Sequence, residues 1–548
     1  MQPWHTPLTP LSFLARSADV FPDVTALVHG DRSWTYAQLH AAVEERARAL
    51  RAAGVQPGDR VAYMMPNVPE MLIAQFAVPL IDAVLVSVNT RLAPEEVRYI
   101  CDHSGSSVLV LDTVHWPEIT QVAPELETVR TIILAEDDQH ADQPLARANP
   151  AGTHVVDLET FLAGASADAD ELVWAVADEN QMLSINYTSG TTGRPKGVMY
   201  SHRGAYLNAL SEIVHSGFDH DSVYLWTLPM FHCSGWCTGW ALVAAGGLQV
   251  CLREVRGPVM WDLIDRHGVT HLNGAPTVIT TIMNAEEAHD LDQRITITTA
   301  AAPPSPTMLA RMADRGFEIV HVYGLTETYG PYTVCEWQKP WAELDGPARA
   351  AKQARQGVGM LTADRARVIR TDTDADELID VPADGATMGE VVMRGNNVML
   401  GYYQDEEATA KAFAGGWFHS GDLGVMHPDG YIELRDRAKD VVVSGGENIS
   451  TIEVEQAIAA HPDVVDVAVV GIPDDRWGER PKAFIVRKDG ADLAEEELLE
   501  FLRDRLARYK TPRHYEFLDV LPKTSTGKIQ KHTLRAQEWA GRTARIQG

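Results

Sequence analysis

Tyr187-Thr-Ser-Gly-Thr-Thr-Gly-Arg-Pro-Lys-Gly197, with the apolar run 182–186 that leads into it, decides how the rest of the chain is read. Gly190, Gly193 and Gly197 free the backbone to aim several N–H groups at one anion. Thr188, Ser189, Thr191 and Thr192 add hydroxyl donors, and Lys196 adds charge. The result is a phosphate cradle at the end of a buried strand. A solvated Ser/Thr/Gly linker seldom combines such a strand with a fixed Pro195 and a single Lys. The loop is not a Walker A sequence, which requires Gly, four residues, Gly, Lys and then Ser/Thr. Here Lys196 follows Pro195 and precedes Gly197, which disfavours a nucleotide kinase of that type.

Composition bounds the remaining choices. A chain of 548 residues with 45% hydrophobic content exceeds one ordinary core, so two or more domains are expected. A formal charge of −29 argues against nonspecific nucleic-acid binding, and any phosphate site must be locally basic. Five scattered cysteines suit reduced thiols better than a disulfide framework. Cys233 and Cys237 lie near His232, but no second His/Cys pair at ligand spacing follows. The start Met1-Gln-Pro-Trp-His lacks the pattern of a signal peptide, and the apolar stretch 76–88 is interrupted by Asp82. A cytoplasmic protein without a transmembrane segment is expected; a homodimer is compatible with the sequence, which does not specify the oligomeric state.

Thr35-Tyr-Ala-Gln38 reads as a capping box, and Leu39, Val43, Ala47 and Leu50 recur at helical spacing up to Gly54. Strand-like runs at 61–65, 84–88 and 108–111 alternate with helix-length segments, which predicts parallel sheets covered by helices. The segment 136–170 reads as loops around one short apolar element. Residues 223–232 read as a strand that delivers His232 at its end, and 295–299 as another buried strand. Residues 319–323 lead into Tyr323-Gly-Leu-Thr-Glu-Thr328. There an aromatic suited to stacking on adenine stands four residues before a carboxylate suited to Mg²⁺. Alone, this hexapeptide reads as a buried Tyr beside a surface Glu; after a phosphate loop it carries weight. Ser420-Gly-Asp422 alone is an ordinary turn whose carboxylate could accept both ribose hydroxyl protons. From 441 onward a second core is expected, with Leu498, Leu502 and Leu506 on one helix face and a basic loop ending at Lys528.

With these segments in order, the chain resembles the adenylate-forming superfamily, which contains acyl-CoA synthetases, peptide-synthetase adenylation domains and beetle luciferases. The resemblance extends over nearly the whole chain. The stretches 228–236 and 321–331 are most similar to the branch of plant acyl-activating enzymes and methylmercaptopropionate-CoA ligases, which act on short or medium acyl and some aryl acids. The resemblance implies an α/β fold: a large N-terminal domain of helix-covered sheets over 1–436, a hinge at 437–440, and a small mobile α+β C-terminal domain over 441–548. It implies a nucleotide site of Thr188, Ser189, Gly190, Thr191, Thr192, Gly193, Lys196, Ala301, Ala302, Pro303, Tyr323, Gly324, Thr326, Asp422 and Arg437. His232, Trp236, Ala300 and Tyr329 would border the acyl group, and Gly445, Gly446 and Glu447 the CoA channel. Lys439 would be the hinge residue, Glu327 the Mg²⁺ ligand, and Lys528, Glu327, Thr188 and His232 the catalytic set. One departure matters: Ala300-Ala-Ala-Pro-Pro304 stands where the superfamily often has Gly-Gly-Ala-Pro, and its methyl groups should narrow the acyl pocket.

The expected reaction converts a carboxylic acid and Mg·ATP to acyl-AMP and pyrophosphate, then passes the acyl group to CoA. The work is electrostatic, because acid and triphosphate are both anions and charge shifts onto pyrophosphate. A carrier-protein phosphopantetheine as acceptor, luciferase-like oxidation of the adenylate, and a noncatalytic nucleotide-binding protein are the alternatives. The last would not need both the metal carboxylate and the mobile lysine.

Overall fold

The computed structural model describes residues 5–137, 153–164, 171–188, 194–300, 311–374, 376–437, 439–444, 447–474, 477–488, 490–503, 505–524 and 529–539. Among these, two large mixed sheets form most of the N-terminal part, one of nine strands and one of eight. In the eight-stranded sheet, Arg60–Met64, Val84–Ser87, Ser106–Asp112, Thr131–Ala135 and His154–Asp157 run parallel to their neighbours. The expected parallel alternation is therefore present, with antiparallel strands added at the sheet edges. Tyr36–Ala52 begins with the expected capping box at Thr35 and Gln38 and buries Leu39, Val43, Ala47 and Leu50.

Met182–Tyr187 pairs parallel with Val84–Ser87 on one side and antiparallel with Gly197–Ser201 on the other. The phosphate loop therefore joins two neighbouring antiparallel strands, and its mouth is closed by the Thr188 N–H donating to the Lys196 carbonyl at 3.0 Å. A buried charge network holds the two large sheets in register. Arg253 donates to both oxygens of Asp112 and to Asp137, all at 2.8 Å, and His29 lies 3.0 Å from Asp137. Breaking one partner would strand a charge away from water, which makes the clamp costly to open.

Three expectations change. The strand expected over 223–232 stops at Leu225. Asn67 diverts the chain: its amide donates to the carbonyls of Trp226 and Leu228 at 2.7 and 2.9 Å and accepts from the Met230 N–H at 2.7 Å. Pro229 has no N–H to continue a ladder. The segment 136–170 contains both the strand His154–Asp157 and the helix Leu158–Ala163 where it is described. The C-terminal helix expected over 495–506 is Glu495–Leu502, although Leu498, Leu502 and Leu506 are all buried.

A four-stranded antiparallel sheet contains the hairpin Phe418–Met426 and Ile432–Arg437, in which Asp422 and Arg437 are cross-strand partners. Beyond it, Gly478–Arg487 is the central strand of a five-stranded sheet and pairs along its whole length with Val464–Asp474. One hydrophobic cluster there, including Val442, Ile458, Val469, Ile485 and Leu498, draws all its buried members from the C-terminal segment.

Candidate functional site

The strand Phe317–Leu325 carries Tyr323 and Gly324 to an edge where three distant segments meet. The Tyr323 hydroxyl donates to Asp422 Oδ2 at 2.7 Å, and Arg437 Nε lies 3.2 Å from Asp422 Oδ1. Burial, then the Asp422 charge, pushes the Tyr323 phenol well above its ordinary range, so it stays a donor. Gly324 admits no side chain, since a Cβ would stand 1.8 Å from the Gly330 carbonyl oxygen.

The turn after this strand presents Thr326 and Glu327. The Thr326 carbonyl accepts from the Tyr200 hydroxyl at 2.6 Å, and the Thr326 hydroxyl lies 3.5 Å from the Cys233 sulfur. Glu327 Oε1 accepts from Tyr402 at 2.9 Å. Burial raises the Glu327 carboxyl above the usual carboxylate range, with Tyr402 and Arg437 among the groups pulling it back. The Lys196 ammonium stands 4.6 Å over the same Tyr402 ring. Tyr402 therefore bridges the phosphate-loop lysine and the buried carboxylate. Nothing in its local sequence signals this; it arrives because Gly401–Tyr402 pairs as an edge strand with Gly197–Ser201.

Glu327 also fits the metal expected of it. Among the described residues no group of three or more His, Cys, Asp or Glu could hold a cation, and Glu327 is a buried carboxylate beside Lys196 and Tyr402. Mg²⁺ commonly takes one or two carboxylates and completes its shell with phosphate oxygens and water.

The turn that follows His232 is built differently. His232 opens a turn in which Cys233, Ser234, Gly235, Trp236 and Cys237 all have positive φ, at 49°, 43°, 60°, 59° and 61°. Four of the five are not glycine, and each such residue costs roughly 1–2 kcal/mol in this conformation. The turn is fully enclosed, with Gly235 against the Trp226 ring at a spacing that leaves no room for a Cβ. Trp236 packs close to Gly330, and Ala300 joins the apolar cluster of Leu228, Cys233, Trp236 and Val322. Trp236 and Ala300 are thus brought together, with His232 at the start of the same turn.

Tyr329 is packed on both its ring and its hydroxyl. Its ring is wholly buried and stacked on Tyr200 at 3.9 Å, and its hydroxyl accepts from the Ser201 N–H at 2.7 Å. It is a pillar between the strand Gly197–Ser201 and the 326–330 turn. Its left-handed backbone, φ 63°, turns the ring inward.

Ser189, Gly190, Thr191, Thr192, Gly193, Ala301, Ala302, Pro303, Gly445, Gly446 and Lys528 lie outside the described residues, as does the side chain of Glu447. Lys439 is half-buried in the turn that follows Arg437, and burial lowers its ammonium pKa. On either side of that turn, Asp436 accepts from the N–H and hydroxyl of Thr451, and Arg535 pairs with Asp440.

The fold thus brings Tyr323, Asp422, Arg437 and Glu327 together beside Lys196, next to an enclosed apolar turn. Residues 14–403 match the AMP-binding enzyme family and residues 453–528 the AMP-binding enzyme C-terminal domain. An acetate–CoA ligase of Humulus lupulus is 43% identical, with 97% of this chain and 95% of that protein covered. A peroxisomal acetate/butyrate–CoA ligase of Arabidopsis thaliana is 42% identical over the same shares. The O-succinylbenzoate CoA synthetase of Bacillus subtilis, solved with ATP and magnesium ion, superposes with a TM-score of 0.79 at 26% identity, covering 95% of this chain and 98% of that one. The chain belongs to the AMP-binding enzyme family, and it is an ATP-dependent ligase that joins a carboxylic acid to CoA by way of an acyl-adenylate.

Proposed function

We propose that the acid is a short or medium unhindered carboxylic acid, and that the two halves of the site divide the work. The observation that carries this reading is the meeting of Tyr323, Asp422, Arg437 and Glu327 beside the phosphate-loop lysine, next to an enclosed apolar turn. Tyr323 lies against adenine, Asp422 and Arg437 hold the ribose, and Thr188, Thr326, Lys196 and the 189–193 loop hold the phosphates. Glu327 would hold Mg²⁺, which when bound offsets the negative charge of the triphosphate. The carboxylate of the acid then meets the α-phosphate in a site whose donors are already in place, so little reorganisation accompanies the shift of charge. The relatives named for acetate and butyrate support the small-acid assignment, as does Ala300, whose methyl group lies among Trp236 and its neighbours.

The domain limits in this reading are 1–436 and 441–548 with a hinge at 437–440, supported by the self-contained C-terminal cluster and by the turn at Arg437–Asp440. Lys528 serves adenylation and Gly445, Gly446 and Glu447 serve the thiol step after rotation about Lys439. Lys528→Ala should block acyl-adenylate formation and spare thioester formation from supplied acyl-adenylate, with Gly446→Trp doing the reverse. Equal loss of both half-reactions in both variants would end this part of the reading. A cytoplasmic location rests on five free cysteines, four of them buried. No helix among the described residues is long and apolar enough to cross a membrane. Fractionation checks the location, and sedimentation distinguishes a monomer from a homodimer.

The deciding experiment is a screen of carboxylic acids with and without CoA, reading AMP and thioester. Acid-dependent AMP and thioester from short acids is expected, with hexanoate preferred to palmitate. A one-methyl difference in such a pocket shifts discrimination by roughly 1–3 kcal/mol. A higher kcat/KM for palmitate would refute the narrow pocket; thioester only on a carrier protein would reassign the acceptor.

A further inference from the structure

The left-handed turn at 233–237 is held from the side of the strand Met182–Tyr187 by the Asn186 amide, with the Ser184 hydroxyl a longer 3.5 Å from that of Ser234. Asn186 Oδ1 accepts from the Ser234 N–H at 3.0 Å and from the Ser234 hydroxyl at 3.1 Å. Its other end, Nδ2, donates to the Ser184 hydroxyl at 3.3 Å, which orients the amide so that its oxygen faces the turn. Asn186 and Ser234 are both buried, at 1% and 0% exposure, so bulk water offers no substitute acceptor. Asn186 lies on Met182–Tyr187, the strand that launches the phosphate loop, two residues before Thr188.

We propose that Asn186 is the positioning residue of the acid site: by holding Ser234 in the left-handed region, it sets where His232 and Trp236 stand relative to the phosphate loop. This rests on the reading of His232 and Trp236 as the border of the acid pocket. Three observations converge on the amide. Ser234 and Trp236 occupy a conformation that residues with a Cβ disfavour, so the turn relaxes once its anchor is gone. Gly235 packs on the Trp226 ring where a side chain cannot fit, which fixes the middle of the turn only while Ser234 stays in place. At its start, Cys233 reaches Thr326 on the nucleotide side at 3.5 Å, a weak contact that cannot replace two bonds to one buried oxygen. Asn186 thus ties acid geometry to the nucleotide strand without touching the nucleotide residues Tyr323, Asp422 or Arg437.

The test is a split in Michaelis constants. In Asn186→Ala, KM for the preferred acid is expected to rise about tenfold while KM for ATP stays within about twofold, because an unpaired buried N–H is left beside the acid and not the nucleotide. Preference among acids of different length should flatten. Adding Ser234→Gly to Asn186→Ala should recover most of the loss, since glycine holds a left-handed backbone without help. Ser234→Ala keeps the N–H and loses the hydroxyl. It reads the same contact from the other side with a smaller rise in acid KM, and it decides the matter if Asn186→Ala does not fold. Equal rises in both constants, a fall in kcat with both constants unchanged, or no recovery by glycine would overturn the proposal. A wild type that turns over normally beside an unaffected Asn186→Ala overturns the positioning role alone. A wild type that makes no thioester from any acid overturns the functional reading and this role together.

Discussion

The half of the site proposed to hold the nucleotide and the half proposed to hold the acid are built on opposite principles. In the described part of the nucleotide half, the proposed recognition resides in side-chain identity: a phenol, two carboxylates and a guanidinium held by hydrogen bonds and an ion pair of 2.7 to 3.2 Å. On the acid side the side chains are mostly apolar, and the shape comes from five successive residues in a disfavoured backbone region. Charge is recognised by groups that can be named from a sequence. Shape is recognised by a conformation that depends on what surrounds it.

The largest effect that would separate the two sides is expected from Glu327→Gln. Removing the metal-binding charge should slow acyl-AMP formation by roughly 10²–10³-fold while leaving affinity for a supplied acyl-adenylate nearly unchanged. Pyrophosphate release and a binding titration measure the two quantities. A normal rate with normal Mg²⁺ dependence would remove Glu327 from the chemistry.

Asp422→Ala comes next. It removes the acceptor shared by Tyr323 and Arg437, and KM for ATP should rise on the order of tenfold or more with KM for the acid little changed. Together with Asn186→Ala it makes a crossed pair, one variant on each side. If both variants move both constants, the two sides are one unit and the comparison fails.

The smallest effect concerns what is buried behind the acid side. Glu212 is almost fully buried on the helix His202–Ser216, and burial pushes its carboxyl from 4.5 up to about 8. Between these values the folded chain keeps a proton that the unfolded chain has released, so rising pH favours unfolding across that window and no further above it. Glu212→Gln cannot ionise and should lose this decline. Its Tm relative to wild type should therefore increase as pH is raised from about 4.5 to about 8. A pH-independent difference would show that Glu212 does not titrate there.

Much of the architecture was legible because local rules and tertiary outcome agree. The capping box at Thr35 and Gln38, the strand Ile295–Thr299 and the buried leucines at 498, 502 and 506 all follow from periodicity and end signals. The strand expected to carry His232 failed because Asn67, more than 150 residues earlier, takes the backbone groups that a ladder would use. The packing of Tyr329 was illegible for a similar reason: Tyr200 and Ser201, more than 120 residues earlier, claim both its ring and its hydroxyl.

By itself the sequence determined which chemical groups are available and roughly where each sits along a strand or turn. The Gly/Ser/Thr loop with Lys196 is a local pattern readable by itself, whereas a Tyr and Glu four residues apart and a Ser-Gly-Asp turn carry weight only through their order after that loop. The tertiary structure alone decided that Tyr402 stands between Lys196 and Glu327, that Asp422 faces Arg437 across a hairpin, and that Asn186 holds Ser234 left-handed. Each of these is a contact between residues far apart in the chain. Such contacts are fixed by sheet register and close packing, in which a side chain's partner depends on every element that brings the two strands together.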